Sequence, residues 1–243
     1  MESLQPLQLC IIWYIVFVFS VVLHEFSHAY VGYLFGDHTA THHGLNTLNP
    51  VPHIQRSPIG MIVVPLLSFV ANMAHGGWMI GWASTPYDPY WAQAYPKQAA
   101  LKTLAGPAAN LILMLIAGVF IHIGISAGIF IIPIGENIYS NNIVVGASNG
   151  LVQGLAVLVS VLFTLNLILL IFNLIPVPPL DGTAIGEFIF QGEMLYKYRM
   201  LMSHPSLRMF GIIIAWMIMS RIFNPVYSLA LNALYIVRGV HYG

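Results

Sequence analysis

The sequence carries very little charge. Lys, Arg, Asp and Glu make up 7% of its 243 residues, whereas a soluble domain carries about 25%. Hydrophobic residues make up 58%, and the mean hydropathy is +0.80. So few charges exclude an ordinary water-exposed surface, and the long apolar runs predict helices. We therefore expect an all-α polytopic membrane protein, a single domain over residues 1–243 that lies in a lipid bilayer.

Cysteine and clustered basic residues are also scarce. Cys10 is the only cysteine, which excludes an intrachain disulfide and a cysteine-ligated zinc cluster. The formal net charge is zero and no basic cluster is present, so nucleic acid is not an expected partner. Any metal site must therefore use histidine and carboxylate ligands, and ten histidines are available.

The segment His24-Glu25-Phe26-Ser27-His28 carries the strongest chemical signal. Two histidines four residues apart lie on one face of a helix, about 6 Å apart along its axis, so both can bind one metal ion. Glu25 beside them can take a proton from a metal-bound water. The alternative is three polar side chains packed in a helix bundle. Polar groups at the end of a membrane helix are costly, however, and they are usually functional.

A second motif, Asn-Leu-Ile-Pro-Val-Pro-Pro-Leu-Asp-Gly, occupies residues 173–182. A catalytic zinc usually has three protein ligands, so the histidine pair leaves it one ligand short. Asp181 is the best candidate, because it follows an apolar span that runs in the same direction as the histidine helix and so ends at the same depth. Prolines break the helix before it, which a membrane tolerates only against protein or a water-filled cavity. The alternative is that Asp181 caps the next helix.

The chain divides into five predicted segments. They are a helix over 7–35 with the histidine pair, a re-entrant segment and irregular hairpin over 58–96, a helix over 97–125, a span over 151–182 with the second motif, and C-terminal helices over 183–243. The first part of 58–96 is too short to span, and the second part is rich in Gly, Pro and aromatic residues.

Basic residues predict the orientation. The N-terminal end and the loop at 126–150 contain no Lys or Arg, whereas the other connections contain Arg56, Lys97, Lys102, Lys197, Arg199 and Arg208. The positive-inside rule then places the N-terminus outside the cell and those connections in the cytoplasm. His24 lies about 25 Å along its helix, so the site is expected near the cytoplasmic side of a plasma (inner) membrane.

The two motifs together resemble those of the site-2 protease family of intramembrane zinc metalloproteases. They occur in the family's order, and Gly106-Pro107-Ala108-Ala109-Asn110 matches the G-P-x-x-N motif of its middle core helix. Residues 81–83 and 48–54 resemble segments of a compact prokaryotic subgroup without PDZ or CBS domains. In that subgroup the second segment is usually followed by Asp-Pro-x-Gly, but residues 55–60 here read Gln-Arg-Ser-Pro-Ile-Gly.

The resemblance implies a site-2 protease-like helical core and a role for each site residue. His24, His28 and Asp181 would bind one catalytic Zn²⁺, and these are the same three ligands that the two motifs predict without the resemblance. Glu25 would be the general base and then the proton donor to the leaving amine. Asn173 would donate to the developing oxyanion. The alternative for Asn173 is a polar residue hydrogen-bonded to the backbone.

The expected function is that of an intramembrane zinc endopeptidase. It would hydrolyse peptide bonds within or near transmembrane segments of protein or peptide substrates, as in regulated intramembrane proteolysis. A metal-ion transporter would predict repeated helices and a polar chain across the membrane. A non-catalytic scaffold would predict loss of Glu25 or of a ligand. The sequence shows neither feature, and it leaves the oligomeric state open.

Other polar and aromatic residues allow milder interpretations. His42, His43 and His53 fall at irregular spacing in a loop, where solvated or hydrogen-bonded histidines are more common than a second metal site. Gly106 and its neighbours predict close helix packing, and Asn110 predicts a hydrogen bond between helices. The hairpin at 78–95 could pair with an unwound substrate by strand addition, or it could be an interfacial loop anchored by its tryptophans.

Overall fold

The computed structural model of the protein describes residues 5–73, 77–133 and 140–240. In chain order its α-helices are α1 Pro6–Leu34, α2 Thr39–His42, α3 Pro50–Arg56, α4 Val64–Ala71, α5 Pro89–Ala94, α6 Pro96–Ser126, α7 Leu151–Leu174, α8 Gly186–Ile189, α9 Gly192–Met202 and α10 Pro205–Tyr235. A π-helix covers Ile59–Val63, and 3-10 helices cover Asp181–Ile185 and Ile236–Arg238. Strands β1 Phe130–Ile131 and β2 Val145–Gly146 form a small antiparallel sheet.

Four of the described helices, α1, α6, α7 and α10, are long and apolar enough to cross a membrane. Their length suits the task, because an apolar core of about 30 Å needs roughly 20 helical residues. This confirms the predicted all-α polytopic membrane protein. The predicted helices at 7–35 and 97–125 correspond to α1 and α6, and α7 covers the first part of the predicted span at 151–182. The described part of the predicted C-terminal helical region contains one long helix, α10, with Pro225 inside it.

Helix α6 packs between α1 and α7 at the centre of the molecule. Small residues on α6, Gly106, Ala109 and Ala117, are buried and allow the neighbouring helices to approach closely. Bulky side chains fill the rest, with Trp13 and Phe17 of α1 packing in one cluster with residues of α7. The three helices therefore form one bundle, whose central member can contact side chains from both neighbours.

The segment after α3 turns sharply and doubles back. The axis changes direction by 111° between Pro50–Arg56 and Ile59–Ala71, and residues 77–88 then return as an extended chain. The amide of Trp82 donates to the carbonyl of Gly60 at 3.1 Å, and the amide of Ile80 donates to Ser68 Oγ at 3.1 Å. Such a bend occurs in a broken span as well as in a re-entrant loop, so the re-entrant segment stays a prediction. Residues 74–76, at the end of the predicted apolar stretch, lie outside the described residues.

The expected hairpin over 78–96 is not formed as paired strands in the described part of that region. Residues 77–88 form a single extended segment, and Pro89–Ala94 is helix α5. The Asp88 side chain accepts a hydrogen bond from the amide of Tyr90 at 2.8 Å, and Pro89 occupies the first helical position. An Asp–Pro pair of this kind starts a helix, so it replaces the second strand. The two-stranded sheet lies instead in the connection between α6 and α7.

Helix α10 packs on the irregular loop that follows α7. Ile175, Val177 and Leu180 of the loop pack in one apolar cluster with Ala215 and Met219 of α10. A Cβ atom at Gly211 of α10 would overlap the carbonyl oxygen of Pro178, so glycine is needed for this close contact. The C-terminal helix thus supports the backbone that leads to Asp181.

Candidate active site

Side chains from two distant parts of the chain converge near the C-terminal end of α1. His24 Nε2 and His28 Nε2 lie 3.0 Å apart, and Asp181 Oδ2 lies 3.1 Å and 3.3 Å from them. In the described chain these three residues form the one group of His, Cys, Asp and Glu side chains close enough to hold a metal ion. The structure therefore brings together the three residues expected to be metal ligands.

The outward-facing nitrogens of the two imidazoles are held by hydrogen bonds. His28 Nδ1 lies 2.8 Å from the carbonyl oxygen of Lys102, and His24 Nδ1 lies 2.6 Å from Asn110 Oδ1. Both oxygens are acceptors, so each Nδ1 carries the proton and donates it. In the neutral imidazole each Nε2 then presents a lone pair toward Asp181. The Asp181 Oδ2 atom lies within ion-pair distance of both Nε2 atoms, so with neutral imidazoles three acceptor atoms face one another.

This arrangement fits a metal ion. Zinc–ligand distances of about 2.0–2.1 Å place the donor atoms of a tetrahedral site about 3.3–3.4 Å apart, close to the 3.0–3.3 Å separations observed. A cation would remove the mutual repulsion of the three lone pairs. Two imidazoles and one carboxylate also leave the fourth position of a tetrahedron open, as catalytic zinc sites require.

A buried amide network connects the site to all three central helices. Asn110 Nδ2 of α6 donates to Asn166 Oδ1 of α7 at 2.9 Å, and Asn166 Nδ2 donates to Ser20 Oγ of α1 at 2.9 Å. All three side chains are fully buried. Asn110 thus forms the interhelical hydrogen bond expected from the sequence. It also orients His24, a role that the motif spacing alone did not reveal.

Gly106 provides the space in which the imidazoles meet. A Cβ atom at this position would overlap Nε2 of both His24 and His28. Glycine therefore allows the backbone of α6 to lie directly against the site. The small-residue motif was expected to allow close helix packing. In the structure, the side chains that pack against its first residue, Gly106, are those of the candidate ligands His24 and His28.

The loop after α7 presents Asp181. Helix α7 ends at Leu174, and Asp181 begins a short 3-10 helix. A Cβ atom at Gly182 would come within 2.5 Å of the carbonyl oxygen of Ile175. Glycine follows the aspartate because the returning backbone passes so close, and not because a left-handed turn is needed there. The Asp181 side chain is 18% exposed against 9% for His24, so the site is most open on the aspartate side.

Glu25, between the two histidines in sequence, is buried. Its Oε2 accepts a hydrogen bond from Thr85 Oγ1 at 2.6 Å. Thr85 belongs to the extended segment 77–88, so this segment holds the candidate general base in place. Sequence reasoning missed Thr85, because a threonine in a loop rich in Gly and Pro carries no motif.

Asn173 is placed differently from the other predicted site residues. Its Nδ2 donates to the carbonyl of Leu169 in its own helix at 3.0 Å. Within the described chain no hydrogen bond joins it to His24, His28 or Asp181. The observed contact is the backbone hydrogen bond that the sequence left open as an alternative.

The loop histidines lie apart from this group. His42 and His43 are exposed, and His53 is 1% exposed with Nε2 donating to the carbonyl of Thr47 at 2.9 Å. The short helix α3 that carries His53 is capped by Asn49, whose Oδ1 accepts from the amide of Val51. In the described structure residues 47–53, which precede the departure from the subgroup pattern at 55–60, therefore hydrogen-bond with one another.

Sequence reasoning also missed a buried ion pair beside the site. Lys102 Nζ lies 2.6 Å from Asp37 Oδ2, and the two side chains are 7% and 0% exposed. Burial by itself raises the pKa of Asp37, but hydrogen bonds from Lys102 and Thr39 outweigh it and hold the pKa below the ordinary 3.8. The signal in the sequence is a lysine within an apolar helix, which usually has a specific partner.

Comparison with known proteins agrees with this geometry. The sequence model of peptidase family M50 matches residues 12–217, a range that includes His24, Glu25, His28 and Asp181. The chain belongs to this family, the site-2 proteases. As a member of the family it is a membrane metalloprotease, and its matched region contains α6, α7 and the part of α1 from residue 12 onward.

Three bacterial relatives support the assignment to the family. "Putative zinc metalloprotease YwhC" of Bacillus subtilis is 34% identical over 183 residues, which cover 75% of this chain and 70% of that protein. "Putative zinc metalloprotease Rip2" of Mycolicibacterium smegmatis is 28% identical over 74% of this chain and 59% of its own length. The protein of the same name from Mycobacterium tuberculosis is 29% identical over 76% of this chain and 61% of its own length. No solved structure matches the chain.

Proposed function

We propose that the protein is an intramembrane zinc endopeptidase, which hydrolyses peptide bonds within or near transmembrane segments of membrane proteins, as in regulated intramembrane proteolysis. One observation carries the proposal. The candidate ligand atoms of His24, His28 and Asp181 converge within metal-binding distance of one another, and a buried glutamate follows His24 in the chain.

The roles follow from where each side chain lies. His24, His28 and Asp181 would hold the zinc ion, which when bound supplies Lewis-acid activation of water and of the scissile carbonyl. Glu25 accepts the proton of the attacking water and passes it to the leaving amine. Asn110 and the carbonyl of Lys102 keep the histidine protons on the far side of each ring. Such outer contacts maintain the tautomer that a metal ligand needs.

Asn173 is proposed as the donor to the oxyanion of the tetrahedral intermediate. It lies in the last turn of α7, just before the loop that presents Asp181. To act, its amide must rotate away from the carbonyl of Leu169, its acceptor in this structure. A peptide carbonyl in the site is a competing acceptor that is present only when substrate is bound.

The extent of the polar network favours a hydrolase over a metal-ion carrier. A carrier needs polar groups that continue across the membrane. In the described structure the network that starts at His24 runs through Asn110 and Asn166 and ends at Ser20. Beyond Ser20 the buried residues of α1 are apolar: Trp13, Val16 and Phe17. In the described structure the hydrogen bonds that start at His24 therefore do not continue along α1 beyond Ser20.

A test compares Glu25→Gln with the unchanged protein, purified in detergent and given a synthetic transmembrane peptide. Glu25→Gln should lose cleavage by at least about 10³-fold while retaining zinc, because the general base is removed and the ligands remain. His24→Ala should lose zinc as well. Asn173→Ala should keep zinc and lower kcat by about 10²-fold, the effect of removing one oxyanion donor.

Glu193→Gln is the matched control, because Glu193 pairs with Lys197 on the exposed helix α9. It should cleave the peptide at the unchanged rate. Equal cleavage by Glu25→Gln and the unchanged protein would contradict the proposed mechanism. Full zinc content in His24→Ala would contradict the ligand assignment.

A further inference from the structure

Three consecutive residues of the extended segment are each held by a side chain from a different element. Arg56 Nε of α3 donates to the carbonyl of Ser84 at 3.0 Å. Thr85 Oγ1 donates to Glu25 Oε2 of α1 at 2.6 Å. Lys102 Nζ of α6 lies 3.4 Å from the carbonyl of Pro86. We name residues 84–86, held in this way, the clasp.

The central contact of the clasp fixes the orientation of a carboxylate. The Thr85 hydroxyl has one proton and two acceptors in reach, Glu25 Oε2 at 2.6 Å and the Glu25 carbonyl at 3.1 Å. The shorter contact to the charged group is the stronger one. Rotation about the last side-chain torsion of a glutamate is otherwise broad. With Oε2 bound to Thr85, the other carboxylate oxygen is the one left to accept a proton from water.

The outer contacts of the clasp hold the later part of a segment whose earlier part is held by other contacts: Met79 is fully buried, and the amide of Trp82 donates to the carbonyl of Gly60. Residues 77–88 are not in a helix or a strand ladder, so their position depends on individual hydrogen bonds and on packing. Lys102 is itself fixed by the buried Asp37 at 2.6 Å. Arg56 is exposed, and it lies in the loop at 55–60 where this sequence departs from the subgroup pattern.

We propose that Thr85 is a positioning residue for Glu25, and that Arg56 and Lys102 keep Thr85 in place by anchoring its two neighbours. The inference rests on the proposed function, because it assumes that Glu25 is the general base. It gives a role to residues 55–60, where this sequence departs from the subgroup pattern: Arg56, the last residue of α3, anchors the extended segment at Ser84.

The first test removes and restores the Thr85 hydroxyl. Thr85→Val should lower kcat for the transmembrane peptide by about 10- to 100-fold, with KM and zinc content unchanged, and Thr85→Ser should recover most of the loss. Thr103→Val is the matched control, because the half-buried Thr103 donates only to Ala99 of its own helix. A wild-type kcat in Thr85→Val would overturn the inference. The inference would also fail if both variants lost zinc and Thr85→Ser did not recover activity.

The second test separates anchoring from chemistry. Arg56→Gln should speed amide hydrogen exchange in residues 77–88 and lower kcat by less than Thr85→Val does, because one exposed hydrogen bond is worth little. Arg208→Gln, at an exposed arginine of α10, should change neither measurement. Unchanged exchange, or unchanged kcat, in Arg56→Gln would contradict the anchoring role of Arg56.

Failure of this inference is distinguishable from failure of the proposed function. If Glu25→Gln is inactive and Thr85→Val is fully active, the general base stands and the positioning role of Thr85 is wrong. If Glu25→Gln cleaves at the unchanged rate, the proposed function fails whatever Thr85 does.

Discussion

At the scale of single residues, the site depends on groups that decide where protons and lone pairs point. The histidine pair can bind a metal only if both Nε2 atoms are free of protons. In the neutral rings the carbonyl of Lys102 and the side-chain oxygen of Asn110 favour this tautomer by accepting both Nδ1 protons. The candidate ligands on α1 are therefore completed by α6, which contributes no ligand of its own.

Gly106 permits a direct prediction. Gly106→Ala should weaken zinc binding by about tenfold or more, because the added methyl overlaps both Nε2 atoms. Alanine is otherwise the better helix former by about 1 kcal/mol, so a loss cannot come from helix propensity. Zinc content after dialysis against a graded series of chelator concentrations measures the effect.

Gly154→Ala on α7 is the control, since nothing lies within 4 Å of a Cβ atom there. It should keep the zinc affinity of the unchanged protein. Equal affinities in Gly106→Ala and Gly154→Ala would show that the backbone of α6 does not confine the site.

At the scale of elements, the buried Asp37–Lys102 pair connects α6 to the chain just after α1, and Lys102 also contacts the extended segment. Lys102 crosses from α6 to the chain just after α1, and it also reaches the carbonyl of Pro86. A methyl group on Gly32 of α1 would lie 3.0 Å from the Lys102 side chain. One cation therefore ties the end of α1, the start of α6 and the extended segment together.

Breaking this pair on one side should be costly. Asp37→Asn should destabilise the folded protein by about 3–5 kcal/mol, because it leaves the Lys102 charge buried without a counter-ion. The double variant Asp37→Asn/Lys102→Met should lose less than the sum of the two single variants. Thermal unfolding in detergent measures both, and a single variant as stable as the unchanged protein would contradict the prediction.

The pair also predicts a pH dependence. Because the folded protein lowers the pKa of Asp37 below the ordinary 3.8, its contribution to stability is complete above that value. It is lost only as the pH falls through the lower folded pKa. Between pH 8 and pH 5, the free energy of unfolding should therefore depend on pH in the same way in Asp37→Asn and in the unchanged protein.

The doubled-back region shows where element prediction from sequence stops. Its composition correctly indicated irregular backbone, and Asp88-Pro89 contained the signal for α5. The pairing of strands in a hairpin depends on contacts between distant residues, and here those contacts go to α4 and to the π-helix. The return chain is paired with a helix and not with a second strand.

At the scale of the whole molecule, we propose that α1 runs inward and α6 runs outward. The N-terminus would then lie outside the cell and the site near the cytoplasmic face of the plasma membrane. The basis is the placement of basic residues, and the contact of Arg56 with Ser84 adds support, because both ends of the doubled-back segment then lie on one side.

Labelling with a membrane-impermeant maleimide tests this orientation. In a Cys10→Ser background, Ser148→Cys in the exposed loop before α7 should be labelled in intact cells. Tyr90→Cys should be labelled only after lysis, since Tyr90 is 81% exposed and any protection must come from the membrane. Labelling of Tyr90→Cys in intact cells would place the doubled-back region outside and reverse the prediction.

The sequence by itself determined the fold class and the identity of the candidate ligands. Low charge forces burial in a bilayer, and helical periodicity places His24 and His28 on one face whatever else the chain does. Tertiary structure decided everything that depends on distant partners: the protons held by Asn110 and Lys102, the room left by Gly106, and the contact of Thr85 with Glu25. Local patterns fix local geometry, but the partner of a buried polar group is chosen only when separate helices pack together.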